Sequence, residues 1–264
     1  MPAIHTVKQT MNPYAKIARF YDWENADFTE DLAFWGDLAR ERGAPVLELG
    51  CGSGRVLLYL AREGFEAVGV DSSPEMIALA RRRLAKQSSI AGRIQLIEAD
   101  FRRLELGKTF PLVIAPFNTF SHLTDRSDIA AVLKAISTHL EPAGAFVLAL
   151  PNPIPIFSSP PEGLVLERSF RDEERNVTVQ QFSSLRVDRV AQLGHVTWIY
   201  DEIDSAGTVT RTTVPMTLRY FFPNEIPPLL EPAGLHLQHL WGDYDRSPFA
   251  EDSPVLIAAG GRAA

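Results

Sequence analysis

The chain contains the stretch Glu48-Leu49-Gly50-Cys51-Gly52-Ser53-Gly54, in which three glycines alternate with other residues. Glycine adopts positive φ at no steric cost and lets the backbone approach a ligand where a side chain would clash. The mostly apolar Val46–Leu49 resembles a short buried strand, and residues 55–63 carry apolar side chains at helical spacing. The stretch is therefore predicted to be a tight turn into a helix N-terminus, whose free N–H groups and dipole favour a polar ligand.

The same alternation of strands and helices continues after this turn. Strands are predicted at 67–70, 94–97, 112–115 and 145–150, and helices at 74–86 and 128–140. Ser73 is suited to cap the first of these helices, with Pro74 at its first position. Five strands alternating with helices predict an α/β fold with a parallel sheet covered on both faces.

The pattern changes after Leu150. The proline-rich segment 151–161 is expected to continue neither a helix nor a central strand. Long strands rich in Val, Thr and aromatic residues are predicted at 177–190, 191–203 and 208–221, with a hairpin turn at Asp204-Ser205-Ala206-Gly207. A short helix, 223–231, and an antiparallel strand pair, Leu235–Trp241 and 255–259, are expected to complete the sheet.

These elements divide the chain into two parts. Residues 1–150 and 222–264 are expected to form the α/β domain, and 151–221 an antiparallel β insertion that builds the substrate pocket, a dimer surface or both. Within the first part, residues 1–42 are predicted to be a lid with helices at 15–20 and 31–42, preceded by a frayed segment, 1–12.

Composition narrows the class of protein. Hydrophobic residues make up 45% of the 264, enough for a sizeable core, and the net charge of −7 disfavours non-specific binding to nucleic acid. The single cysteine, Cys51, allows no internal disulfide and no cysteine-based zinc site, and no metal site of another kind is indicated. Without an apparent signal peptide or membrane span, a cytoplasmic protein is expected.

Acidic residues at successive strand ends indicate the kind of ligand. Asp71 ends the second strand, 21 residues after Gly50, where a carboxylate can accept ribose hydroxyls, and Asp100 after the third strand can accept an adenine amino group. Dinucleotide sites favour Gly-x-Gly-x-x-Gly, but the last position of that pattern is Arg55 here. The acid Glu48 beside the turn suits a ligand with cationic groups better than a pyrophosphate.

Together these features resemble the class I S-adenosylmethionine (SAM)-dependent methyltransferases, over roughly residues 14–150 and the last helix and strand pair. The resemblance implies a Rossmann-like sheet of seven strands, the last antiparallel, with the insertion after the fifth strand. It implies SAM as cofactor and S-adenosylhomocysteine (SAH) as its product. It also implies a set of cofactor-binding residues: Glu48, Gly50, Cys51, Gly52, Gly54, Asp71, Ser72, Met76, Ala99, Asp100, Phe101, Pro116 and Asn118.

The N-terminal Ile17-Ala18-Arg19-Phe20-Tyr21-Asp22 is similar to a segment of many small-molecule methyltransferases whose tyrosine closes over the cofactor. The resemblance makes Tyr21 a lid and candidate catalytic residue and Tyr14 a second candidate lid residue. Arg19 is a candidate partner of the SAM carboxylate.

A narrower resemblance is to bacterial N-methyltransferases of nucleotide-linked amino sugars, which share the insertion. Their histidine-ending run after the fourth strand corresponds to Phe117-Asn118-Thr119-Phe120-Ser121-His122. This makes His122 the candidate general base for an amine acceptor, a role that favours a pKa near the operating pH. Asn118, Thr119 and Phe120 replace the small residues of those enzymes, so the sugar itself does not carry over.

Candidate residues for the acceptor pocket are Trp198, Tyr244 and two cations suited to an anionic group, Arg219 and Arg246. The expected partner is a small molecule and, through the insertion, a second copy of the chain, rather than nucleic acid or a membrane. Several other functions stay open. They are an O- or carboxyl-methyltransferase, a SAM-binding module without turnover and, disfavoured by the glycine spacing, a nicotinamide-dependent oxidoreductase.

Overall fold

The computed structural model describes residues 13–25, 27–159 and 163–263. The predicted frayed segment 1–12 lies outside these residues. Eleven strands occur in the described ranges. In chain order, β1 to β11 are Val46–Leu49, Ala67–Asp71, Ile94–Glu98, Phe110–Ala115, Leu140–Pro151, Val165–Asp172, Val177–Asp188, Leu193–Ile203, Val209–Arg219, Leu235–Trp241 and Val255–Arg262.

Seven α-helices occur in the same ranges. In chain order, α1 to α7 are Tyr14–Glu24, Leu32–Arg42, Arg55–Arg62, Pro74–Ala85, Arg126–His139, Pro153–Ser158 and Ile226–Leu230. The predicted cap of α4 is confirmed, because the hydroxyl of Ser73 accepts from the N–H of Met76 and Pro74 is the first helical residue.

The larger sheet has seven strands in the order β10-β11-β5-β4-β1-β2-β3. Strands β1 to β5 pair in parallel, and β11 runs antiparallel between β5 and β10. The chain passes from β1 to β2 and β3 on one side and returns to β4 on the other. Ligands of open α/β sheets bind at such a reversal, beyond the carboxyl ends of the strands. Here that edge holds the glycine turn, Asp71 and the segment after β4.

Alternation along the central strands explains why the sheet is covered on both faces. Val46 and Ala67 belong to one apolar core, whereas Leu47, Leu49 and Val68 belong to the other. Helices pack on each face, so side chains of both parities are buried and the strands are almost wholly apolar.

The smaller sheet is antiparallel, with the order β6-β7-β8-β9. The predicted turn before β9 is confirmed: Gly207 has φ 82°, and the N–H of Asp204 donates to the carbonyl of Thr208. Helix α1 packs on this sheet through Phe20, whose ring stacks on Tyr200 with centroids 4.5 Å apart. The N-terminal helix therefore joins the insertion to the rest of the molecule.

The proline-rich segment after β5 differs from its prediction. Residues 153–158 form helix α6 because Pro153 occupies the first position, where its missing N–H costs nothing, and the side chain of Asn152 accepts from the N–H of Ile154. The insertion also has a fourth strand, β6, which the sequence interpretation omitted. Its residues are largely exposed at a sheet edge and lack a long apolar pattern.

Candidate functional site

In the glycine turn, every second residue has a backbone conformation in the left-handed region of φ/ψ space. Gly50, Gly52 and Gly54 have φ of 66°, 54° and 77°, which favour glycine. A Cβ on Gly50 would lie 2.3 Å from Cγ2 of Thr119, and no side chain other than hydrogen fits there. The backbone of the turn can thus approach a ligand closely, as the sequence predicts.

Glu48 lies beneath this turn as a buried carboxylate. It is 3% exposed and its Oε2 has no hydrogen-bond partner. Burial raises the pKa of Glu48, and the positive charge of Arg55 acts in the opposite direction. A buried acceptor without a partner costs stability, so the cavity here is suited to a ligand that brings a cationic donor.

Asp71 at the end of β2 is oriented by the backbone. Its Oδ2 accepts from the N–H of Gly52 and its Oδ1 from the N–H of Ser73, both at 2.8 Å. Burial nevertheless raises the pKa of Asp71 above its ordinary value. The carboxylate is therefore held in one orientation at the cavity, with lone pairs left for ligand hydroxyls.

These groups line one cavity, of about 780 Å³ including its open mouth, which we call the loop cavity. Twelve residues predicted for the site meet in its lining: Tyr14, Tyr21, Glu48, Gly50, Cys51, Gly52, Asp71, Ser72, Met76, Phe101, Pro116 and His122. Segments that are far apart in the sequence therefore come together beside the ends of the strands.

Five predicted cofactor residues lie outside this lining: Arg19, Gly54, Ala99, Asp100 and, as described below, Asn118. Arg19 pairs with Glu202 of β8 at 2.5 Å, turned away from the predicted SAM carboxylate, because α1 packs on the smaller sheet. Asp100 forms a bidentate pair with Arg102, which lowers the pKa of Asp100. Gly54 starts α3 behind the turn, against Ala80, and Ala99 packs against the core.

The structure also adds a residue that the sequence reasoning missed. Arg55 lines the loop cavity, donates to Asp31 with Nη2–Oδ2 2.7 Å, and lies 4.8 Å above the ring of Phe28. It was assigned only to the predicted helix, although a cation directly after the third glycine is the signal that could have identified it. Asp31 is fully buried, so the pair fixes Arg55 at the cavity wall.

His122 lies at the end of the segment that follows β4. Its Nε2 is 2.9 Å from the hydroxyl of Tyr14, and the two rings meet edge to face with centroids 5.6 Å apart. Burial lowers the pKa of His122 to about 4. The expected pKa near the operating pH is therefore wrong: the imidazole is neutral at pH 7, and the reason is desolvation.

A second cavity adjoins the first and is called here the insertion cavity. It measures about 830 Å³ including its mouth and is lined by Tyr14, Tyr21, Glu24, Asn25, Phe117, Asn118, His122, Glu167, Arg168, Gln181, Trp198, Met216 and Leu218. Four residues, Tyr14, Tyr21, Phe117 and His122, line both cavities. We call these four the shared wall.

Two residues near the shared wall have unusual backbone angles. Phe117 and Asn118 have φ of 50° and 63°, which is strained for residues other than glycine. Asn118 thereby faces the insertion cavity rather than the loop cavity, and the N–H of Asn118 donates to the carbonyl of Ala149. Of the two cavities, Asn118 therefore lines the insertion cavity, and its predicted cofactor contact stays a prediction.

The predicted acceptor residues separate in the structure. Trp198 lines the insertion cavity. Arg219 pairs with Glu225, and Arg246 pairs with Glu41 while lying over Trp241. Tyr244 packs against Phe34. The last three residues line neither cavity.

No helix in the described part of the chain is long and apolar enough to cross a membrane. Within the described ranges, no group of three or more His, Cys, Asp or Glu side chains is arranged to hold a metal ion.

Residues 46–144 match the family model described as a methyltransferase domain. Among curated proteins, the cypemycin N-terminal methyltransferase of a Streptomyces species is 36% identical over 112 residues, which are 42% of this chain and 43% of that protein. The dTDP-3-amino-3,4,6-trideoxy-alpha-D-glucopyranose N,N-dimethyltransferase of Streptomyces venezuelae is 27% identical over 132 residues, 49% of this chain and 53% of that protein. The chain thus spans about half the length of these relatives.

Solved structures match over nearly the whole chain. The CcbJ methyltransferase of Streptomyces caelestis has a TM-score of 0.79 at 26% identity, covering 96% of this chain and 98% of that one. SAM-bound CalS10, an amino pentose methyltransferase of Micromonospora echinaspora, has a TM-score of 0.67 at 22% identity, covering 92% and 95%. The predicted Rossmann-like seven-stranded sheet with an antiparallel insertion is confirmed.

Proposed function

Since residues 46–144 match the model of a methyltransferase domain, we propose that this protein transfers the methyl group of SAM to the nitrogen of a small-molecule amine. One observation carries the proposal: the loop cavity and the insertion cavity meet at the shared wall. A cofactor in the first and an acceptor in the second would face each other there.

The loop cavity fits SAM by the character of its groups. Glu48 offers a buried carboxylate oxygen without a partner to a cationic group, and the turn at Gly50 leaves no room for a side chain. Asp71 would take the ribose hydroxyls, and Met76 and Phe101 would flank the adenosine. When bound, SAM would supply an electrophilic methyl group on its sulfonium: the acceptor nitrogen would form a bond to that carbon as the carbon–sulfur bond breaks, and SAH would be the leaving group.

The chain's own residues would position the acceptor and exclude water. Such positioning supplies a large part of the rate enhancement of a displacement. Tyr14, Tyr21 and Phe117 lie between the two cavities, and His122 is held by its hydrogen bond with Tyr14. A neutral imidazole can accept a hydrogen bond from the amine and orient its lone pair, while the proton that the methylated nitrogen releases passes to water.

The insertion, residues 151–221, would form the acceptor pocket. The α/β domain, residues 1–150 and 222–264, would bind the cofactor.

We also propose a homodimer formed through the insertion, since Leu164 and Leu166 at its edge are about half exposed, at 52% and 51%. Equilibrium sedimentation of the wild type and of Leu166→Lys tests it. A cytoplasmic location likewise stays a proposal, supported by the single buried Cys51.

The experiment that tests the methyl transfer compares acceptors and one variant. Mass spectrometry after incubation with SAM should detect methylated amines and not methylated alcohols or carboxylates of the same skeletons. His122→Ala should lower kcat about hundredfold while the affinity for SAH stays unchanged.

The pH dependence of the wild-type enzyme provides a second test. Because His122 is neutral above pH 5, a plot of kcat against pH should show no inflection near pH 6.5.

The matched control is His239→Ala, which removes an exposed histidine that stacks on Trp241 far along the sheet edge and should leave kcat unchanged. Methylation of oxygen alone, or full turnover by His122→Ala, contradicts the proposal.

A further inference from the structure

The insertion cavity contains polar groups that the transfer reaction does not use. Its walls come from α1, from the segment after β4 and from all four strands of the smaller sheet. Tyr14, Tyr21, Phe117 and His122 lie at the end that meets the loop cavity. Glu24, Gln181 and Trp198 lie in the remaining part, where the rest of an acceptor molecule would sit.

Two oxygen atoms in this part are buried without a hydrogen-bond partner. They are Oε1 of Glu24 and Oε1 of Gln181. The amide nitrogen of Gln181 already donates to the hydroxyl of Tyr200, at 3.2 Å, in the core of the smaller sheet. An unsatisfied buried acceptor destabilises the protein, and a ligand that brings donors would remove this cost. Both oxygens therefore point to the same ligand chemistry.

The charges around the cavity indicate the same chemistry. Among the described residues that line it, Glu24 and Glu167 are acidic and Arg168 is the one cation. The Nη1 of Arg168 donates to the carbonyl oxygen of Glu24. An anionic group would therefore meet two carboxylates against one cation, a lining of net negative charge.

The remaining lining residues suit a carbon skeleton. Trp198, Met216 and Leu218 form an apolar side of the cavity, on β8 and β9. An aromatic ring and two flexible aliphatic side chains pack well against a ring or chain of carbon atoms.

We propose that the insertion cavity selects acceptors whose non-reacting part carries hydroxyl or amine donors and no anionic group, with Glu24 and Gln181 as the specificity-determining residues. The inference rests on the proposed function for the identity of the ligand as a methyl acceptor. It extends that function by assigning the acceptor class, polyhydroxylated or polyamine skeletons without phosphate or carboxylate.

The test measures binding separately from turnover. Glucosamine and glucosamine 6-phosphate, which differ by one phosphate, are titrated calorimetrically into the full chain saturated with SAH. Glucosamine should bind at least about tenfold more tightly than its phosphate, since like charges at close range in a partly buried cavity cost more than 1.4 kcal/mol.

Two variants test whether Glu24 and Gln181 determine the binding of glucosamine. Glu24→Gln keeps the shape but removes the charge, and should weaken glucosamine binding about tenfold, because a charge-assisted hydrogen bond is lost. Gln181→Met should weaken it about threefold to tenfold. SAH binding should change less than about twofold in both variants. The control Glu174→Gln, on the exposed turn between β6 and β7, should change neither affinity.

Three results overturn the inference: no binding of glucosamine, equal or tighter binding of its phosphate, or wild-type binding by both Glu24→Gln and Gln181→Met. The expected binding preference without any methylated product by mass spectrometry contradicts the proposed function instead and leaves the cavity's selectivity standing.

Discussion

At the scale of single residues, the loop cavity contains two carboxylates, Glu48 and Asp71, that differ in their hydrogen-bond partners. Glu48 is fully enclosed by the sheet and the glycine turn, and one of its oxygens has no partner. Asp71 differs, because two backbone N–H groups hold it. The difference predicts that Glu48 costs the ligand-free protein stability, whereas Asp71 orients the turn.

Glu48→Gln tests this cost through its pH dependence. The folded ligand-free protein keeps a proton on Glu48 to higher pH than the unfolded chain does. The stabilising contribution of Glu48 is therefore complete below its unfolded pKa of about 4.5 and is lost as the pH rises. We expect the free energy of unfolding of Glu48→Gln, relative to the wild type, to increase as the pH rises from 4.5 to 8.

Urea titrations without ligand at several pH values provide the measurement, and Glu174→Gln is the exposed control that should give a flat difference. A difference between Glu48→Gln and the wild type that does not vary with pH would show that Glu48 is not strained by burial. With SAH bound, the wild type should instead be more stable to unfolding than Glu48→Gln, because the cationic ammonium of SAH stabilises the charged carboxylate of Glu48.

Most residues that line the loop cavity could be predicted from the sequence because they stand beside strand ends. Gly50, Asp71 and Phe101 have fixed positions in the alternating pattern, and the sheet brings strand ends together. Arg55 could not be assigned in this way, because its orientation depends on the pair with Asp31, which arises from tertiary packing.

At the scale of elements, the strands and helices around the glycine turn follow the sequence closely, whereas the segment after β5 does not. Helix α6 and strand β6 were not predicted, because prolines and exposed side chains obscure both patterns. Asn152 supplies the missing information: its side chain caps α6 and also binds two backbone carbonyls near the last strand.

Asn152→Ala should therefore destabilise the protein without affecting the cofactor site. Three hydrogen bonds of a 5% exposed side chain are lost, those to the carbonyls of Glu251 and Ser253 and that from the N–H of Ile154. We expect a loss of about 2–3 kcal/mol in the free energy of unfolding, since each net hydrogen bond contributes about 1 kcal/mol.

Denaturant unfolding measures this loss, and calorimetry with SAH checks that the affinity is kept. Asn224→Ala, which removes an exposed asparagine in the turn before α7, is the control and should change stability by less than about 0.5 kcal/mol. If the two variants unfolded alike, the role of Asn152 as an anchor would be excluded.

At the scale of the whole molecule, the proposed function depends on the meeting of two sheets. The order of strands predicts where a ligand of the larger sheet binds, and the structure has a cavity there. The sequence does not predict that α1 packs on the smaller sheet through Phe20, nor that Glu24 lines the insertion cavity while Arg219 and Arg246 form ion pairs elsewhere. Such pairings depend on contacts between elements far apart in the chain.

We propose that the loop cavity binds SAM through Asp71, beside a second cavity for the acceptor. Calorimetric titration with SAH measures this binding in the wild type, Asp71→Ala and the exposed control Asp252→Ala. We expect one SAH per chain for the wild type and the control, and an affinity at least about tenfold weaker for Asp71→Ala, because charge-assisted hydrogen bonds to the ribose are lost. No SAH binding by the wild type, or equal binding by Asp71→Ala, would contradict this proposal.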